Sequence, residues 1–214
     1  MTGTLEPRVR ELLREAAEWR MLGLLLECPG DDWRRRIADL AATLSDPALL
    51  AAAELAREQG SEGLYHSIFG PGGPAPPREV SYCDSLQLGL LLSELEAYYR
   101  AFAYEPVTGE AADHVSVEAG FIAFLHLKEA YALASENSEQ ASVTADAAAR
   151  FVKEHLSWIA EPLSAALCES GIGYLEAAGQ ALVVRVGPSR QRMSIPDGQL
   201  AAAEDGSDSC CTAE

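Results

Sequence analysis

The chain has 214 residues, 48% of them hydrophobic, and a formal net charge of −17 from 33 acidic and 16 basic side chains. So negative a surface repels phosphate backbones and anionic lipid, which argues against nucleic-acid binding and membrane-surface docking. It steers cationic segments toward the protein, although its plainest consequence is solubility.

No stretch approaches the roughly 18 uninterrupted apolar residues of a membrane span. The start, Met1 to Glu6, lacks the basic and apolar regions of a secretory signal. The five cysteines, Cys28, Cys83, Cys168, Cys210 and Cys211, are odd in number and widely scattered. That is the usage of a reducing cytoplasm rather than of a disulfide framework.

Leu and Ala dominate the apolar set and β-branched residues are sparse, so the fold class is all-α. From Glu6 to Glu27, Val9, Leu12, Leu13, Ala16, Trp19 and Leu22 follow helical spacing, and Pro29-Gly30 ends the run. Asp31 is a suitable N-cap for a second helix bearing Trp33, Ile37, Leu40 and Leu44. Pro47 suits the first position of a third helix that runs to about Gln59, where Gly60 stops it. A short fourth element carries Leu64, Tyr65, Ile68 and Phe69.

Gly70 to Pro77 is too rich in proline and glycine for helix or interior strand and reads as a loop within one domain. Helical texture resumes near Leu86 and lasts to about Tyr104; a long helix then opens at Asp113. Ser135 to Gln140 is a polar loop, followed by a helix with Phe151, Leu156 and Trp158. Pro162 marks the start of the next, and a last helix spans about Tyr174 to Val186. The expected architecture is one compact, bundle-like domain over residues 1–187, with about eight or nine helices and a Pro/Gly-rich internal loop. Residues 188–214 have few large apolar side chains and are expected to form a disordered acidic tail.

Catalytic signatures are missing. There is no Gly-x-x-x-x-Gly-Lys loop, no Gly-x-Gly-x-x-Gly and no Gly-x-Ser-x-Gly elbow. Neither Cys-x-x-Cys nor His-Glu-x-x-His occurs, and the four histidines are scattered, so no cofactor or metal is expected. Cys210-Cys211 reads as an incidental pair in the tail.

The most informative cluster is Asp113-His114-Val115-Ser116-Val117-Glu118. His114 and Glu118 are four apart, so on a helix they share a face, and the carboxylate can orient the imidazole or raise its pKa. The plainer alternative makes Asp113 an N-cap and His114 a surface residue. Aromatic residues flank the Pro-rich loop, among them Tyr82, Tyr98 and Phe102; they suit either a peptide groove or a core.

In order along the chain these pieces resemble the TorD/DmsD/NarJ family of molybdoenzyme maturation chaperones. The Tyr65–Tyr82 stretch, with Ile68-Phe69-Gly70-Pro71, is similar to the family's Phe-x-x-Pro loop, one residue shorter here, and to its Pro-rich run, and Tyr98-Tyr99-Arg100-Ala101-Phe102 matches the following helix. Asp113-His114 with Glu118, Phe121 and Phe124 matches an Asp-His helix start. Phe151 to Trp158, here Phe-x-x-x-His-Leu-x-Trp, is similar to the family's Phe-x-x-x-His-Leu-x-x-Trp segment with one residue fewer before the Trp. The resemblance covers about residues 8 to 186; Cys83-Asp84-Ser85 departs from the glycine-rich connection of many relatives.

It implies a cytoplasmic chaperone, not an enzyme. Such a protein binds the twin-arginine signal peptide or the apo form of the catalytic subunit of a molybdopterin-dependent oxidoreductase, assists cofactor insertion and prevents premature export. The resemblance implies Asp113 and His114 at the client site, with Glu118 in the same cluster; the apolar part of a signal would need an apolar groove, for which Tyr82, Tyr98 and Phe102 are candidates. A carboxylate pairs well with an arginine guanidinium. The competing readings are an accessory subunit that stays with the mature enzyme and an acid–base enzyme using Asp113 and His114. A monomer or a domain-swapped dimer is compatible with this chain.

Overall fold

The computed structural model describes residues 6–83 and 88–188. Among them nine α-helices follow in order: α1 (Pro7–Leu25), α2 (Trp33–Ala41), α3 (Pro47–Gln59), α4 (Glu62–Phe69), α5 (Leu88–Phe102), α6 (Val115–Ala134), α7 (Ser138–Phe151), α8 (Ser157–Glu169) and α9 (Gly173–Val186). A 3-10 turn, Glu79–Tyr82, precedes α5, and a π-helical turn, Val152–Leu156, joins α7 to α8. The fold is all-α; among the described residues the one extended pairing is an antiparallel bridge between Arg78 and His114. No described helix is long and apolar enough to cross a membrane. The start expected near Leu86 and the expected tail from Ser189 onward lie outside the described residues.

Helix α6 is the axis of the molecule. Every residue from Asp113 to Ala123 is buried, because Val115, Val117, Ala119, Phe121 and Ile122 present apolar surface on all sides. Helix α1 lies along one flank and α7 along another, while α9 packs between α8 and α3. The close crossing of α1 over α6 depends on Gly23, where a Cβ would stand 3.0 Å from the Ser116 carbonyl oxygen. Two polar ties fix the outer helices. The buried Trp33 indole N–H donates to the Leu24 carbonyl at 2.7 Å, holding α2 against the end of α1. Arg185 of α9 donates to Glu18 of α1 at 3.0 Å and to Asp46, the N-cap of α3, at 2.7 Å.

Local signals set most boundaries. Asp46 accepts from the Ala48 and Leu49 amides and Gly60 follows the last turn, so α3 has the bounds its sequence predicts. Three expectations shift. Asp32, not Asp31, precedes α2, and its side chain makes no capping bond. The polar loop after α6 is shorter than read, because Asn137 caps α7 through the Gln140 amide and the helix begins at Ser138. Pro162 does not open a helix; it lies inside α8, and the irregularity in that run is the π turn upstream.

Two helix ends carry a left-handed residue that is not glycine: Ala103 at φ 53° after α5 and Glu136 at φ 56° after α6. At the second, the Asn137 amide reaches the Ala132 carbonyl at 2.8 Å and the Glu136 amide reaches Leu133 at 3.0 Å, the paired bonds of a Schellman end. A side chain in this conformation costs about 1–2 kcal/mol, partly offset by the greater unfolded-state entropy of glycine. Glu136→Gly is therefore expected to raise stability by about 0.5–1 kcal/mol. The check is a higher urea midpoint with an unchanged slope; a lower midpoint would show that the Glu136 side chain contributes more than its backbone strain.

Candidate functional site

The loop after α4 crosses the head of α6 as a strap. It turns first, with the Gly73 amide on the Gly70 carbonyl at 2.8 Å, and Pro71, Pro74, Pro76 and Pro77 remove four amide donors from it. Ala75 is buried and its amide donates to the Ile68 carbonyl at 3.1 Å. Farther on, the strap pairs antiparallel with the residues that lead into α6. The Val115 amide donates to the Pro77 carbonyl at 2.9 Å, and the Glu79 amide donates to the Asp113 carbonyl at 2.8 Å.

This pairing places Arg78 and Glu79 over a group of buried acids. Asp113, Glu118 and Glu79 are 0%, 0% and 1% exposed, too little for water to solvate their charges. Arg78 serves Asp113, with Nε at 2.8 Å and Nη2 at 2.7 Å. Both contacts fall on Oδ1, and Oδ2 has no hydrogen-bond partner. Glu79 accepts from the buried His155 at 3.1 Å. That contact uses Nδ1 and leaves Nε2 without a partner. Glu118 has neither a cation nor a well-formed hydrogen bond on either oxygen. Burial, and then the adjacent carboxylates of Glu79 and Asp113, push its pKa well above the ordinary range.

His114 is not on the helix with Glu118. It is the N-cap of α6 in an extended conformation, and its Nδ1 accepts from the Ser116 amide at 3.1 Å and lies 2.7 Å from the Ser116 hydroxyl. The proton therefore sits on Nε2, 2.9 Å from the Tyr65 hydroxyl, which in turn donates to Glu110 at 3.0 Å. Burial lowers the His114 pKa to about 4, against weaker opposing effects of Glu110 and Asp113. The structure thus corrects the expectation that Glu118 orients His114 or raises its pKa. It also corrects the plainer alternative, since the cap is His114 rather than Asp113 and it is buried.

The aromatic candidates separate. Tyr82 is half-buried in the strap and donates to the Pro76 carbonyl at 2.8 Å. Tyr98 and Phe102 line a groove of about 480 Å³ between α5 and α7, with Val143 on the opposite wall and Glu94, Asp146 and Arg150 also lining it. The Tyr98 ring meets Phe121, Phe151 and His155 edge-on, at 6.3, 5.2 and 5.6 Å between centroids. His155 holds Glu79, so Tyr98 links the groove to the buried acids.

Sequence reading passed over Arg78, Glu79 and His155 as site residues. Their signals were faint: a charged pair directly after Pro76-Pro77, and the histidine of the Phe151–Trp158 segment. It also passed over a second groove of about 570 Å³ between α1 and α6, rimmed by exposed Leu13, Val107 and Leu127. Tyr104 closes against α6 there only because residue 120 is glycine; a Cβ would stand 2.6 Å from its hydroxyl. Among the described residues no group of three or more His, Cys, Asp or Glu side chains is arranged to hold a metal ion.

The fold is an all-α domain whose central helix begins under a proline-rich strap. The sequence profile of the nitrate reductase delta subunit family matches residues 28–163, well over half of the chain, and the chain belongs to that family. The family consists of maturation chaperones that act with molybdoenzyme subunits of the nitrate reductase type; it is not a catalytic family. A search of curated proteins finds no significant match.

The two shifted groups oppose each other in pH. His114 binds its proton less readily folded than unfolded, so its contribution is fully present above about pH 6.5 and is lost as pH falls toward 4. That loss is on the order of 3 kcal/mol. In His114→Asn, which keeps a capping side chain, the acid-side slope between pH 6.5 and 4 is expected to shrink in urea titrations, leaving the smaller share of His126, whose pKa burial also lowers. An undiminished slope would place the titrating group elsewhere.

Glu118 has the reverse sign. Its folded pKa is raised, so its protonated form stabilises the fold at low pH, and stability declines above about pH 4.5 by at most ~1.4 kcal/mol per pH unit. Glu118→Gln is expected to equal the parent near pH 4.5 and to be more stable at pH 8, as read by thermal melts. A variant less stable at pH 8 would mean that the ionised carboxylate is needed.

Proposed function

We propose that the protein is a chaperone that holds the twin-arginine signal peptide, the apo form, or both, of a molybdenum-containing catalytic subunit while its cofactor is inserted and export is held back. Family membership supports the class of activity. The observation that carries the client site is the half-paired Asp113 carboxylate, whose Oδ2 has no partner at the head of α6. A guanidinium is the group that matches a carboxylate with two parallel donors. The apolar part of the signal seats in the groove between α5 and α7, against Tyr98, Phe102 and Val143. The net charge of −17 draws a cationic segment in from solution. His114 and Glu118 act indirectly, one capping α6 and the other holding a proton beside Asp113.

Isothermal titration with twin-arginine signal peptides of molybdoenzymes encoded near the gene tests this reading. Saturable binding is expected, weakened at least tenfold in Asp113→Asn, about 1.4 kcal/mol, and also weakened in Phe102→Ala. Wild-type protein that binds none of these peptides, yet captures the apo catalytic subunit lacking its signal, would shift the contact to the mature body.

A further inference from the structure

Asp113 is wholly buried, so no client arginine reaches it while the strap is closed. What closes the strap is itself an arginine. Arg78 lies on Asp113 with two nitrogens on a single oxygen, and its side chain remains 38% exposed. The backbone on either side makes the two antiparallel bonds that an added extended peptide would make, Val115 N–H to Pro77 O and Glu79 N–H to Asp113 O. We propose that Arg78 is a built-in stand-in for a client arginine, and that an arginine-bearing segment gains Asp113 by displacing the second half of the strap, residues 77–83. This rests on the function proposed above and adds the way in which the site is reached.

Four observations favour exchange over a permanent structural pair. The resting contact leaves Oδ2 unpaired, whereas a bidentate guanidinium satisfies both oxygens. The strap brings Glu79 in beside Glu118 and Asp113, so its departure removes one carboxylate from a crowded acidic group. Residues 77–83 give up only two backbone bonds to the rest of the molecule, Val115 N–H to Pro77 O and Glu79 N–H to Asp113 O. The exposed edge of Arg78 offers a point from which the exchange can begin. Specificity follows from the same geometry. Only an incoming guanidinium leaves Asp113 as well paired as before; a lysine ammonium is a single point charge and cannot bridge both oxygens.

The test is hydrogen–deuterium exchange of the full chain with a synthetic twin-arginine signal peptide, and with the same peptide carrying two lysines instead. On binding the arginine peptide, fragments covering 77–83 are expected to lose protection while the Val115 amide keeps it. Arg78→Gln, which vacates the site, is expected to bind the arginine peptide about tenfold more tightly than wild type, because the competent state no longer has to be won from an internal competitor. The lysine peptide should show no such gain.

Arg78→Gln leaves a buried carboxylate unpaired and melts lower, so the double variant Arg78→Gln/Asp113→Asn serves as its folded control. It should bind no more tightly than Asp113→Asn alone. Peptide binding with the strap still protected in the wild type overturns the displacement, whatever the variants do, and leaves the chaperone reading standing. No binding by wild type, Arg78→Gln or the double variant removes the signal-peptide reading and this inference together. Binding by Arg78→Gln alone supports both.

Discussion

Three carboxyl groups withdrawn from water at the head of α6 constrain everything around them. An ionised acid in such a place needs a partner or a proton. Each of the three meets that need differently: Asp113 through Arg78, Glu79 through His155, and Glu118 through a pKa that burial and its acidic neighbours raise well above the ordinary range. The course of the strap follows from these pairings, since Arg78 and Glu79 are adjacent in the chain and their partners lie on separate elements. The start of α6 follows as well, because the backbone at Asp113 and Val115 is paired with the strap and the first turn is capped by His114.

Polar groups in this position cost stability that apolar side chains of similar size would not. Glu118 shows this most plainly, being a buried acid with no cation of its own. Other buried acids, Glu18, Glu27 and Glu129, lie elsewhere in the molecule, but each of those has an arginine partner. The surface charge and the buried charge then act at different ranges. The −17 of the whole chain works at a distance and is blunted by salt. The acids under the strap are buried, so salt screens them far less.

The rigid and labile parts of the molecule are divided accordingly. Helices α1, α3, α6 and α9 are bound by apolar contact and by the Arg185 clamp on Glu18 and Asp46. The strap contributes one fully buried apolar side chain, Ala75, and prolines that cannot donate. A stiff body carrying a lightly held cover is suited to taking up a client without unfolding.

Short-range features were legible in the sequence because they depend on neighbours within about one helical turn. Asp46-Pro47 and Gly60 bound α3, the Pro-rich run is a strap, and the apolar stripes of α1 and α6 are core. Tyr98 and Phe102 do share a groove, as four-residue spacing allows. The spacing rule misled at His114 and Glu118, since one residue ahead of the first turn leaves the helical face altogether. What only the tertiary structure decided is which charges meet. Arg78 and Asp113 are 35 residues apart, and Glu79 and His155 are 76 apart. No local pattern encodes such pairs; they arise when packing removes water from side chains that, in the unfolded chain, had no reason to find one another.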